Sequence, residues 1–218
     1  MNEPAVSTHR VALGLSYAGQ RYNGWQSQAS GNTVQDHLET ALARFAATGC
    51  ERLTTLCAGR TDAGVHGVMQ VVHFDAPVQR PATAWVRGTN RFLPSDIAIQ
   101  WAQSVPQSFH ARASAIARRY AYLLLQSPVR PSVEAGRVGW VFRPLDGAAM
   151  AAAARILEGE HDFSSFRAAA CQAHSPVKTL APIHILRRGL PASRGGGSDS
   201  TSCYWRFEFE ANAFLHHM

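Results

Sequence analysis

Hydrophobic and polar positions along the first half of the chain predict a sheet with two helices. Apolar residues recur at helical spacing after Thr33, a suitable N-cap, until Gly49, and a second predicted helix begins at Pro81 and ends near Phe92. The predicted strands, rich in apolar and β-branched residues, are Val11 to Tyr17, Leu53 to Ala58, Val68 to Phe74 and Ile97 to Val105. This half therefore has the predicted order strand, helix, strand, loop, strand, helix, strand.

The second half repeats the mixture of strands with a helix. Its predicted strands are Ile116 to Leu125, Thr179 to Arg187 and Ser202 to Ala211, and its predicted helix is Met150 to Leu157. A glycine- and serine-rich stretch, residues 195–200, predicts a flexible hairpin tip. Hairpins and segregated helices argue against a doubly wound parallel fold and predict an α+β protein with two halves, residues 1–108 and 109–218, and a cleft between their sheets.

A short glycine-rich segment, Gly59 to Gly67, lies between two of the predicted strands of the first half. Its glycines allow positive φ values and a close approach of another chain segment. Asp62 is thereby held at a strand junction, and Arg60, two residues earlier, could flank the carboxylate and lower its pKa. Spacing alone leaves two interpretations open: a tight hairpin turn with a solvated arginine and aspartate, or a catalytic loop.

The loop after the first strand carries Tyr22 and Trp25 beside Arg21 and Gln26. Aromatic and basic residues interleaved on a loop can stack on and pair with RNA. A loop tryptophan is equally common as a hydrophobic lid over a sheet. The sequence leaves both interpretations open.

Composition indicates a globular protein with an anionic partner. The chain has 218 residues, 46% hydrophobic and 17% charged, with a formal net charge of +6. Among its 21 basic residues Lys178 is the single lysine, so the positive charge is carried by arginine, whose planar fork suits phosphates and base stacking. A GC-rich genome would produce the same arginine enrichment, so composition alone does not decide.

Targeting and metal-binding signals are sparse. The four cysteines form no CxxC pair, the first ten residues lack an apolar core, and no window approaches about 18 apolar residues, which predicts a cytoplasmic protein without a membrane span. His66, His110 and His161 are dispersed and have no zinc-ligand spacing, so we expect no metal site.

The amino-acid sequences of several motifs resemble those of one enzyme family. The segment Gly-Arg-Thr-Asp-Ala-Gly-Val-His (59–66), followed by an apolar strand that contains Gln70, resembles the signature of the TruA family of tRNA pseudouridine synthases. The resemblance extends over most of the chain. It includes Tyr17-x-Gly19, Gly24-Trp25-Gln26, Asn90 to Pro94, Phe109 to Arg112, Arg119 to Tyr122 and Gly159 to Arg167.

The resemblance implies a fold, an activity and a site. It implies a pseudouridine-synthase-like α+β fold in which two RRM-like halves with antiparallel sheets face each other across a basic cleft. The implied activity is isomerisation of uridine to pseudouridine in the anticodon stem-loop of tRNA, by a homodimer that uses no cofactor. It assigns catalysis to Asp62 and substrate contact to Tyr120, which would stack on the flipped base. Arg60 would fill the space left by that base or contact phosphate.

One departure from the family pattern keeps an alternative open. In the family, the stretch that resembles Ala211 to Met218 continues into a Val-Arg step whose arginine pairs with the catalytic aspartate, whereas the present sequence stops at Met218. The alternative is a catalytically impaired module that binds or remodels tRNA. A third possibility, an aspartate-nucleophile hydrolase of small molecules, is disfavoured by the basic charge and by the lack of an acid for the leaving group.

Overall fold

The computed structural model describes residues 9–47, 49–169, 171, 173–189, 202–216 and 218. The chain divides into two compact units, Met1–Ala115 and Ile116–Met218. The glycine- and serine-rich stretch at 195–200, predicted to be a flexible hairpin tip, lies outside the described residues.

The first unit is a four-stranded antiparallel sheet with two α-helices. Its strands are β1 (His9–Tyr17), β2 (Leu56–Cys57), β3 (Gly67–Ala76) and β4 (Ile97–Ser104), in the spatial order β2-β3-β1-β4. A 3₁₀ turn (Gly19–Arg21) follows β1, and the helices are α1 (Val34–Ala46) and α2 (Ala82–Asn90). This is the order of elements that the hydrophobic pattern predicts.

Strand β2 is shorter than the predicted strand because its first residues bind helix α1 instead of a neighbouring strand. The backbone N–H of Leu53 donates to the carbonyl of Glu39 at 3.2 Å. The N–H of Thr55 donates to the Glu39 carboxylate at 2.8 Å. These contacts satisfy the backbone donors, so pairing with β3 is confined to Leu56 and Cys57.

The core of the first unit lies between one face of its sheet and the two helices. Helix α1 begins as predicted, with the Thr33 side chain accepting from the N–H of Asp36. The largest fully buried apolar side chains are Trp25, Trp85, Phe74, Leu13, Leu15, Leu38, Leu42 and Ile99. Burial of each such side chain stabilises the fold by about 1.5 to 3 kcal/mol. The loops of this unit therefore begin and end at strands that are anchored in a well-packed core.

The described residues of the second unit form a six-stranded sheet and one α-helix. The strands are β5 (Arg118–Gln126), β6 (Gly139–Val141), β7 (Gly159–Asp162), β8 (Val177–Leu180), β9 (His184–Gly189) and β10 (Cys203–Ala211). The order is β6-β5-β10-β8-β7, and β9 also pairs with β10. Helix α3 (Gly147–Leu157) begins with the side chain of Asp146 accepting from Ala148 and Ala149.

Two predictions about this second sheet are wrong. Strand β6 pairs with β5 in parallel, so the sheet is mixed and not wholly antiparallel. The single strand predicted from Thr179 to Arg187 is two strands, β8 and β9, because the chain between them contains Pro182, which has no N–H for a strand ladder. The N–H of Ala181 still donates to Glu210 at 2.8 Å, so the break is local.

Residues that follow β4 pack on the first unit. The N–H of Ala111 donates to Nδ1 of the buried His73 at 3.1 Å, and the Phe109 ring lies edge-on to the imidazole at 5.9 Å. Burial lowers the pKa of His73, which favours the neutral ring that this acceptor role requires.

Helix α1, at 13 residues, is the longest described helix, and no helix in the described part of the chain has the length and apolar character of a membrane span.

Candidate active site

The segment of residues 59–67, which follows β2 and ends at the first residue of β3, is called the aspartate loop. The start of the loop is tied to the sheet by two bonds: the N–H of Ala58 donates to the carbonyl of Val71 at 2.8 Å, and the side-chain amide of Gln70 donates to the carbonyl of Gly59. Its last residue, Gly67, begins β3 and is paired with Tyr17 of β1. Gln70 therefore explains why a polar residue occurs within an apolar strand. The loop is therefore held by the strands at the edge of the sheet.

A tight turn presents Asp62 at the surface. The carbonyl of Asp62 accepts from the N–H of Val65 at 3.2 Å, and Gly64, the third residue of this turn, has φ of +81°. A type II turn requires positive φ at that position, and glycine adopts it without strain. The turn thus holds the backbone of Asp62, which is an exposed residue.

A second segment, residues 18–33, supports the aspartate loop and is called the bracing loop. The N–H of Trp25 donates to the carbonyl of Thr61 at 2.9 Å, and the carbonyl of Tyr22 accepts from Gly64 at 3.4 Å. Gly24 has φ of +85°, and a Cβ there would lie 2.7 Å from the Thr61 carbonyl oxygen. The two loops therefore pack backbone to backbone at the residue that precedes Asp62.

The aromatic residues of the bracing loop form a lid over the core, which decides between the two interpretations that the sequence left open. Trp25 is 1% exposed and Tyr22 is 6% exposed, so neither ring is available for stacking on RNA. The Tyr22 hydroxyl donates to the carboxylate of Asp96. Burial, together with this hydrogen bond, raises the pKa of Tyr22 and keeps the hydroxyl protonated.

The sequence-predicted site residues occupy both units. Arg60 and Asp62 share the aspartate loop of the first unit, and both are exposed. Arg60 is close enough to the buried Cys57 to oppose the rise in the pKa of that thiol, which burial causes. Tyr120 belongs to β5 of the second unit, where it is 37% exposed and its ring lies edge-on to Phe214 at 4.9 Å.

The arginines beside Tyr120 are engaged with their own unit. The Arg118 guanidinium donates to the carbonyl of Asn212 at 2.9 Å, and the Arg119 guanidinium pairs with Glu210 at 2.6 Å. Tyr122 shares the strand face of Tyr120 and is also exposed. The face of β5 thus offers aromatic rings to solvent.

Sequence reasoning missed a side-chain contact between Tyr17 and Thr61. The Tyr17 hydroxyl lies 2.9 Å from the Thr61 hydroxyl, although the two residues are 44 positions apart in the chain. The one feature of the sequence that points to this contact is a tyrosine at the end of a buried strand, because a buried tyrosine hydroxyl needs a hydrogen-bond partner. Its partner is fixed only by the packing of the two loops.

No group of three or more His, Cys, Asp or Glu side chains within the described ranges is arranged to hold a metal ion. The contacts of the aspartate loop around Asp62 are instead made by the hydroxyls of Tyr17 and Thr61 and by the backbone amides of Trp25 and Val65. An exposed carboxylate on a braced loop, in a basic α+β chain, characterises a catalytic or binding protein for an anionic substrate.

Comparison with known proteins identifies the family. The family model described as tRNA pseudouridine synthase matches residues 15–112 and 153–218, which include the aspartate loop, the bracing loop and β10. The chain therefore belongs to the tRNA pseudouridine synthase family.

Similar proteins carry the same family name. The tRNA pseudouridine synthase A of Paracidovorax citrulli (strain AAC00-1) is 69% identical over 214 residues, which cover 96% of this chain and 76% of the relative. That of Delftia acidovorans (strain DSM 14801 / SPH-1) is 68% identical over 218 residues, with the same shares of the two chains covered. That of Polaromonas naphthalenivorans (strain CJ2) is 69% identical over 209 residues, which cover 96% of this chain and 75% of the relative.

Proposed function

We propose that this protein isomerises uridine to pseudouridine in the anticodon stem-loop of tRNA, with Asp62 as the essential carboxylate. The observation that supports this most directly is the aspartate loop, in which the family motif holds an exposed carboxylate on an anchored backbone. The net charge of +6 favours a polyanionic substrate. The arginine-rich composition suits contacts with phosphate.

The reaction explains why one carboxylate is sufficient. Isomerisation breaks the bond from ribose C1′ to N1 and forms a bond from C1′ to C5; the hydrogen of C5 leaves as a proton and N1 takes up a proton. Substrate and product are isomers, so no co-substrate is consumed. An ionised Asp62 could attack the sugar or the base, or remove a proton from the ribose, and each of these roles requires the charge and a fixed position.

Access to the target base requires extrusion from the RNA, which costs a few kcal/mol. We propose that Tyr120 stacks on the extruded base and that Arg60 fills the vacated space or contacts phosphate. The exposure of both side chains supports these roles. Val65, Val68 and Met69, which are exposed apolar side chains within or just after the aspartate loop in the sequence, would offer further contact area to a base.

We propose further that residues 1–108 and 109–218 are two RRM-like halves that face each other across a basic cleft, and that the protein works as a cytoplasmic homodimer. Each unit by itself combines a sheet with α-helix, which supports the first point. A chain of this size covers little of an L-shaped RNA, which supports the second. Light scattering at micromolar concentration measures the oligomeric state.

The activity is tested directly by mapping pseudouridine in an unmodified tRNA transcript after incubation with the full-length protein. We expect carbodiimide treatment followed by primer extension to reveal new stops within the anticodon arm. Binding of the transcript without any stop would support the alternative, a tRNA-binding module without turnover. Stops confined to other arms of the tRNA would contradict the proposed substrate region.

Tyr120 provides a graded prediction for the base-stacking role. Tyr120→Leu should lose the stack, which is worth about 1 to 3 kcal/mol per base, whereas Tyr120→Phe should retain most of the activity because the ring remains. Tyr122→Leu is the matched control, since Tyr122 is an exposed tyrosine on the same strand face. Single-turnover rates on tRNA are the measurement, and equal losses in Tyr120→Leu and Tyr122→Leu would contradict the assignment.

A further inference from the structure

The hydroxyl of Tyr17 occupies a position from which it can control the catalytic carboxylate without touching the substrate. Tyr17 ends β1, is 4% exposed, and its hydroxyl lies 2.9 Å from the hydroxyl of Thr61, the residue that precedes Asp62. We infer that Tyr17 is a positioning residue, whose hydrogen bond to Thr61 fixes the backbone from which Asp62 projects. This inference rests on the proposed role of Asp62.

The ring of Tyr17 is itself held in place. It packs against the indole of Trp25, with ring centroids 6.1 Å apart at an interplanar angle of 43°. The backbone of Gly67 approaches it so closely that a Cβ there would lie 2.5 Å from the ring atoms. The phenol oxygen is thereby fixed, and one side chain contacts the aspartate loop near its start, at Thr61, and at its end, at Gly67.

Thr61 is restrained from two sides. Its hydroxyl meets Tyr17, and its carbonyl accepts from the N–H of Trp25 at 2.9 Å while lying against the Cα of Gly24. Restraining both the side chain and the carbonyl of one residue determines the orientation of the following peptide, and therefore the direction in which the Asp62 side chain leaves the backbone. This backbone control limits the position of the Asp62 side chain.

Packing alone does not explain why this position carries a tyrosine. A phenylalanine would fill the same space against Trp25 and Gly67, so what the hydroxyl adds is hydrogen bonding, which includes the bond to Thr61. A reacting group misplaced by about 1 Å can cost about 100-fold in rate. Loss of one restraint, with the amide of Trp25 still in place, should cost less, and we expect Tyr17→Phe to lower kcat about 10-fold with KM for tRNA unchanged.

A double-mutant cycle tests the inference, using Tyr17→Phe, Thr61→Val and the double variant in the full-length protein. Each single substitution breaks the same hydrogen bond, so we expect each to lower kcat and the double variant to lose no more than the worse single one. Thr61→Ser, which keeps a hydroxyl, should restore most of the rate. Thermal unfolding of each variant shows whether the fold is retained.

The outcomes separate this inference from the proposed function. Wild-type kcat in Tyr17→Phe, losses that multiply in the double variant, or a change in KM alone would overturn the positioning role. Asp62→Asn is measured in parallel. If Asp62→Asn remains active, the proposed function fails; if it is inactive while Tyr17→Phe has wild-type kcat, only the positioning role fails.

Discussion

Replacing Asp62 with asparagine should abolish pseudouridine formation. The amide keeps the size of the side chain and much of its hydrogen-bonding capacity but removes the charge and the nucleophilicity, so we expect kcat to fall by about 10³-fold or more. Because Asp62 is exposed, its replacement should change the free energy of unfolding by no more than about 0.5 kcal/mol. Affinity for tRNA should also change little, since the substitution leaves every arginine of the chain in place.

The measurement is tritium release from tRNA labelled at C5 of uridine, because formation of the new bond from C1′ displaces that hydrogen. Glu51→Gln is the matched control: it removes one exposed carboxylate from the same unit, away from the aspartate loop, and should retain full activity. If Asp62 only shaped its turn, the asparagine variant would instead lose stability and keep its chemistry. Wild-type release by Asp62→Asn would refute the mechanism.

Local patterns predict the elements of the first unit well because they depend on neighbouring residues. The spacing of apolar residues after Thr33 predicts α1, and the cap contact with Asp36 is a property of positions three apart. The placement of Asp62 between two strands also follows from the local pattern. Such features need no knowledge of what packs against them.

Features that depend on distant partners could not be predicted from the sequence. The alternation around residue 53 is compatible with a strand, and only the approach of Glu39 converts residues 53–55 into contacts with α1. Likewise, Trp25 could cover a sheet or stack on RNA until its burial is known. The parallel pairing of β5 with β6 also depends on residues that are distant in the sequence. Strand β6 has three residues, which are too few to show a hydrophobic period that would predict it.

The contact between the bracing loop and the aspartate loop explains why the Gly24-Trp25-Gln26 motif begins with a glycine. Gly24→Ala should lower both stability and activity, because two costs combine at this position. An alanine at φ of +85° is strained by about 1 kcal/mol. Its Cβ would also lie 2.7 Å from the carbonyl oxygen of Thr61 and 3.1 Å from the carbonyl carbon of Asp62, which are backbone atoms that cannot rotate away.

Relief of that contact requires the aspartate loop to move by several tenths of an ångström, together with Asp62, the proposed catalytic residue. We therefore expect Gly24→Ala to destabilise the fold by about 2 to 4 kcal/mol and to lower kcat by about 100-fold. Single-turnover rates and thermal unfolding of the same preparation measure the two effects. Full kcat in a destabilised Gly24→Ala protein would show that the position of Asp62 does not depend on the bracing loop.

Gly31→Ala separates the backbone strain from the displacement of the loop. Gly31 lies in the same bracing loop and has φ of +66°, but a Cβ there would meet nothing within 4 Å. The control variant therefore carries the strain of about 1 kcal/mol without the contact, and its kcat should stay within about twofold of wild type. Since the two substitutions share residue type, loop and sign of φ, a large difference in kcat between them would come from the contact with Thr61 and Asp62. Equal losses of kcat in the two variants would show that backbone strain causes the whole effect. The contact between the bracing loop and the aspartate loop would then have no role in catalysis.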